Sequence, residues 1–187
     1  MRNLYFVVLA TLLLVALSGT LVRYTLRARR SAGDTWEDLL HRLTWIDREA
    51  IATIALDALG PLDERGNPRP QNESFALEPD TIWKLLGGLD GLEVVERNCR
   101  VLVDLATYLQ RYYPEALVVA EQLRLNAREI EWHVGRLKGA ARTGNLRSSF
   151  ADYAQRAVVT YYRMTRLLLD LCDQAGAPGL VQLQQAI

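Results

Sequence analysis

The stretch that most constrains this chain is Leu4 to Val22, LYFVVLATLLLVALSGTLV, nineteen residues without a charge. As a helix it reaches roughly 28 Å, close to the thickness of a bilayer's hydrocarbon core. Lipid offers no partners for backbone N–H and C=O groups, and a helix satisfies its own, so the run is expected to cross a membrane as a helix. Tyr5 and Tyr24 fall where interfacial aromatics sit. A cleavable secretory signal is the rival reading, with small residues at Ala16-Leu17-Ser18. The apolar run continues past that triplet through Leu21 and Val22, which favours a retained anchor.

Flanking charge sets the expected orientation. Arg23, Arg27, Arg29 and Arg30 come after the run, and only Arg2 and the amino terminus precede it. The positive-inside rule then places the remainder of the chain on the cytoplasmic side. Those four arginines would lie against anionic headgroups, at about 1 kcal/mol each. The 20 arginines to 2 lysines point to GC-rich coding, hence to a bacterial-type inner membrane. All 22 acidic residues lie beyond position 30 with 17 of the 22 basic ones, so the remainder is net negative. That balance argues against a nucleic-acid partner, which needs a basic footprint to displace phosphate counterions.

Beyond the anchor the periodicity is helical throughout, and an all-α fold is expected. Asp34-Thr-Trp-Glu37 resembles a capping box, opening a helix that runs to about Leu59 and stops at Gly60-Pro61. Residues 60–80 form a Pro/Gly-rich loop, after which Asp80 caps a short helix, Thr81 to Leu86, interrupted by Gly87, Gly88 and Gly91. A second long helix covers about Leu92 to Tyr113, apolar nearly all round. Pro114 opens a third, with Ala116, Ala120, Leu123, Ala127, Ile130, Val134 and Leu137 as its stripe. Gly144-Asn145 breaks it, and a fourth helix runs to about Asp173 before Gly176-Ala-Pro-Gly179. Four amphipathic helices, three joined by short turns, predict an antiparallel four-helix-bundle-like domain with a short extra helix in its first long connection. The expected organisation is a tail at 1–3, a span at 4–22, a basic linker at 23–33, the bundle at 34–175 and a C-terminal tail at 176–187.

No nucleophile elbow, phosphate loop or dinucleotide fingerprint occurs, so neither enzyme activity nor a cofactor is expected. His41 lies four residues after Glu37 and His133 four after Glu129, one residue longer than the Glu-x-x-His of bundle metal sites. Surface pairing is the expected role of both. Cys99 and Cys172 read as buried core thiols, or as one disulfide in an oxidising compartment.

Apolar residues off the core stripes are more telling. Trp45 and Leu56 lie nearly opposite Trp36 on a helical wheel, and Val118, Leu125 and Trp132 recur every seven residues opposite the Leu123 stripe. Either the short helix and the C-terminal tail cover this second seam, or it docks a protein partner or another copy of the chain. Arg111, Tyr112 and Tyr113, at a turn returning toward the anchor, are expected to touch the bilayer as well. The basic residues Arg136, Lys138, Arg142 and Arg147 surround the opposite turn. The leading expectation is a membrane-anchored, non-enzymatic interaction or scaffold protein. The alternative is a membrane-bound sensor, with alanines opposite Tyr153 and Tyr161 leaving room in the core for a small apolar ligand.

Overall fold

A computed structural model describes residues 11–15, 18–19, 34–60, 77–177 and 179–187. The chain divides into two compact units, Met1–Thr35 and Trp36–Ile187. In the first, residues 11–15 and 18–19 are helical, and Leu12, Leu13, Leu14 and Val15 are exposed. Among the described residues no helix is long and apolar enough to cross a membrane. The rest of the expected span, and Arg23, Arg27, Arg29 and Arg30, lie outside the described residues.

The second unit is all helical: α1 (Trp36–His41), α2 (Arg48–Leu59), α3 (Pro79–Leu86), α4 (Gly88–Leu109), α5 (Ala116–Arg142), α6 (Leu146–Gln174) and α7 (Leu180–Ala186). The three long helices α4, α5 and α6 form its body. Polar contacts between α4 and α5 run antiparallel. Glu96 meets Lys138 at 3.1 Å, Arg100 meets Glu131 at 3.0 Å, and the Arg124 guanidinium donates to the Thr107 hydroxyl at 3.0 Å. The two partly exposed ion pairs fix register more than they stabilise, at about 0–1 kcal/mol each.

Stability comes from the stripes. All seven stripe residues of α5 are buried, as are Leu92, Val95, Cys99, Leu102, Ala106 and Leu109 on α4. On α6, Phe150, Ala157, Tyr161, Met164, Leu168 and Leu171 face the same core. Val101, Val103 and Leu105 are also buried, so α4 is enclosed on more than one side, as its composition predicts.

The fourth position of the bundle differs from expectation. The predicted continuous helix over 34–59 is two short helices with a non-helical stretch between them. The cause sits on α4. Asn98, buried inside the unit, accepts a hydrogen bond from the Thr44 N–H at 2.9 Å and donates one to the Thr44 carbonyl at 2.7 Å. Both backbone groups of Thr44 are thereby satisfied without a helix. The Asp47 carboxylate then caps α2, accepting from the Glu49 and Ala50 N–H groups. α1 packs on α4 and α2 packs on α6, so two short helices occupy the place of one long one.

Smaller differences have local reasons. α3 begins at Pro79, with Glu78 in the cap position and Asp80 in the first turn, because proline suits the start of a helix. Gly87 and Gly88 both take φ of 71°, turning the chain sharply into α4. A side chain at Gly88 would strike Trp83, and one at Gly91 would strike the Leu86 carbonyl. α4 ends at Leu109, leaving Tyr112 and Tyr113 in the turn beyond it. The expected C-terminal tail contains α7, whose Leu183 is fully buried. The Arg48 guanidinium donates to the carbonyls of Gln184 and Gln185, holding the end of α7 to the start of α2.

Candidate functional site

Two surfaces of the helical unit stand out. The first is the outer face of α5. Its inner stripe holds α5 against α4 and α6, which turns the positions half a wheel away toward solvent. Val118 is 75% exposed, Leu125 59% and Trp132 56%. Trp132 is supported from below. Its ring meets Tyr153 edge-on at 5.8 Å and His133 at 5.0 Å, and the Arg136 guanidinium lies over it at 5.7 Å.

Trp45 and Leu56 are exposed too, at 82% and 55%. Leu56 does not extend the α5 surface, because its helix α2 packs against α6 and α3 and is not a packing neighbour of α5, and Trp45 lies in the non-helical stretch before α2. The five expected residues therefore do not form one continuous helical seam. The short helix expected to cover them is engaged elsewhere: Ile82 and Leu86 enter the core, and Trp83 packs on Phe150 at 4.4 Å.

His133 departs from the expected surface pairing. It is buried, its Nε2 lies 3.7 Å from a Glu129 carboxylate oxygen, and its Nδ1 has no hydrogen-bond partner among the described residues. Burial holds its pKa below the ordinary value of 6.5, against the opposing pull of Glu129. His41 is exposed at the end of α1. Among the described residues no cluster of three or more His, Cys, Asp or Glu side chains is placed to hold a metal ion.

Cys99 and Cys172 are both free and buried. Burial pushes the Cys99 thiol up to about 12 and the Cys172 thiol up to about 11. Neither presents a thiolate, the form that reacts, near neutral pH. Near the α5–α6 turn Lys138 is engaged by Glu93 and Glu96, and Arg142 and Arg147 are exposed.

The second surface is a pocket of about 410 Å³ at the end of the unit where α1 begins. It is lined by Trp36, Glu37, Tyr108, Leu109, Tyr112, Tyr113, Gly179 and Gln182. The Trp36 and Tyr108 rings lie 5.9 Å apart, and Tyr108 and Tyr112 lie 5.5 Å apart, both pairs tilted. Gly179, with φ of 99°, lets the chain pass so close to the Trp36 indole nitrogen that any side chain there would collide with it. The expected bilayer contacts belong to this region. Tyr112 and Tyr113 line the pocket, and the Arg111 guanidinium lies 5.5 Å from the centre of the Tyr108 ring. A hydrogen bond to Tyr112 raises the Tyr108 phenol pKa, with burial and the Glu37 carboxylate adding to the rise.

Periodicity assigns Trp36 to a core stripe and gives no reason to join Glu37, Gly179 or Gln182 to any site. The core alanines, Ala106, Ala116, Ala120, Ala127 and Ala157, are buried among neighbours, and none of them lines this pocket. Comparison with protein-family models, with curated proteins and with solved structures gives no match for this chain.

Proposed function

We propose that this chain is a membrane-anchored, non-enzymatic interaction protein: residues 4–22 tether a helical unit whose α5 outer face docks a partner protein. The observation that carries the docking half is Val118, Leu125 and Trp132. They are exposed at seven-residue intervals along one helix whose opposite stripe is buried. A regularly spaced apolar seam is what a partner helix reads. Trp132 suits the centre of such a contact, because its ring is already held by Tyr153 and Arg136 and loses little freedom on binding. Trp45, exposed in the stretch before α2, is a second contact point in this reading.

The anchoring half is supported by the charge-free run itself and by exposed apolar side chains at Leu12 to Val15. With four arginines on its carboxyl side, the helical unit would face the cytoplasm.

The test is cross-linking and pull-down of the full chain from intact membranes. Wild type should give a discrete partner adduct, and Trp132→Glu should lose it while the protein keeps its melting temperature. An adduct unchanged by Trp132→Glu and by Leu125→Glu would refute the docking surface. Recovery of the mature chain from the aqueous fraction, lacking its first twenty-odd residues, would refute the anchor.

A further inference from the structure

We propose that the pocket between α1, the α4–α5 turn and α7 binds an organic ammonium head group, held by the rings of Trp36, Tyr108 and Tyr112 beside the Glu37 carboxylate. The lining found among the described residues lies within the helical unit, so its chemistry is inferred independently of whether residues 4–22 span a bilayer.

Four aromatic side chains converge there, Tyr113 included, around about 410 Å³ of open space. That is within the size of small-molecule sites, about 300–1,000 Å³. A purely apolar ligand would leave the Glu37 carboxylate without a use. An anion would face that carboxylate, the one charged group of the lining among the described residues. A cation meets both features, because an aromatic face carries negative quadrupole density and Glu37 carries a full negative charge. The molecule itself supplies a precedent. The Arg111 guanidinium already sits 5.5 Å from the Tyr108 ring centre, so a ring of this cluster is in use as a cation platform.

Alkylated ammonium groups fit such a box better than a metal ion. Their charge is spread over methyl groups that contact ring faces, and they shed water cheaply. The same chemistry occurs in a free quaternary ammonium compound such as choline and in a lipid headgroup.

Calorimetric titration of the full chain in maltoside micelles with tetramethylammonium and with choline tests the assignment. Saturable binding is expected for both, with the uncharged shape analogue 3,3-dimethylbutanol at least about tenfold weaker. Glu37→Gln and Tyr112→Ala alter exposed side chains and should leave the melting temperature in place. Each should weaken binding by about three- to thirtyfold. Repeating the titration in nanodiscs separates the sources. Binding seen in phosphatidylglycerol discs but abolished in phosphatidylcholine discs assigns the lipid headgroup, and equal binding in both assigns a free ammonium compound. Absence of saturable binding would overturn the proposal. So would equal affinity for the uncharged analogue, or unchanged affinity in both variants.

Discussion

The two faces of α5 carry large apolar residues at helical spacing and meet opposite surroundings. Leu123, Ile130 and Leu137 recur every seven residues and are fully buried against α4 and α6. Val118, Leu125 and Trp132 recur at the same interval half a turn away and stand in solvent. Among the described residues the inner stripe is enclosed by the fold, whereas the outer one is covered only in part, at Trp132. Burial of each inner side chain stabilises by about 1.5–3 kcal/mol, and an exposed one contributes little of this. The outer stripe is then free to serve something other than folding, so substitutions on the two faces should separate stability from association.

The largest stability effect is expected on the inner face. Ile130→Ala should cost about 2–5 kcal/mol, read as a lowered urea midpoint, because the surrounding helices cannot collapse into the space. Leu125→Ala on the outer face should stay within about 0.5 kcal/mol of wild type. Equal losses at the two positions would break the contrast between the faces.

Asn98→Ala comes next. It strands the Thr44 N–H and carbonyl and should cost about 1–3 kcal/mol. Hydrogen exchange should rise across residues 42–47 while α5 stays protected. Arg48→Ala removes the clasp on α7 and should cost about 0.5–1.5 kcal/mol, with faster exchange confined to residues 180–187.

The smallest effect expected is that of His133, at the base of the exposed Trp132. Its folded pKa is depressed by burial, so the unfolded chain takes up the proton first as pH falls. Its contribution is therefore complete above the unfolded value of 6.5 and declines as pH drops below it. Glu129 and Asp152 oppose the depression, and Arg156 reinforces it. Urea midpoints between pH 5 and 8 should fall less steeply on the acid side in His133→Gln than in wild type. An identical slope in both would show that this imidazole is not responsible.

Legibility in the sequence divides along the same line. The stripes of α4, α5 and α6 can be read because each lies on one uninterrupted helix, where spacing alone determines the face. The outer seam of α5 can be read for the same reason. The break at 42–47 cannot, because its cause is an asparagine 54 positions away whose amide fits the Thr44 backbone. Asp47 ahead of Arg48-Glu49 is a local capping signal, but the apolar period running from Trp36 through Ile54 outweighs it. A helical wheel drawn across that break puts Trp45 and Leu56 on one helical face, whereas Trp45 lies in the non-helical stretch and Leu56 on α2. The end pocket stays hidden for a related reason. Residues 36–37, 108–113 and 179–182 come together only once α7 folds back, and α7 lies beyond glycines that read as a chain ending.

Photo-cross-linking from position 125 of the full chain in its native membrane tests the central claim most directly. A single adduct of defined mass, lost when Trp132→Glu is added, is the predicted result. Labelling that leaves only the free chain, or an adduct pattern indifferent to Trp132→Glu, would contradict it.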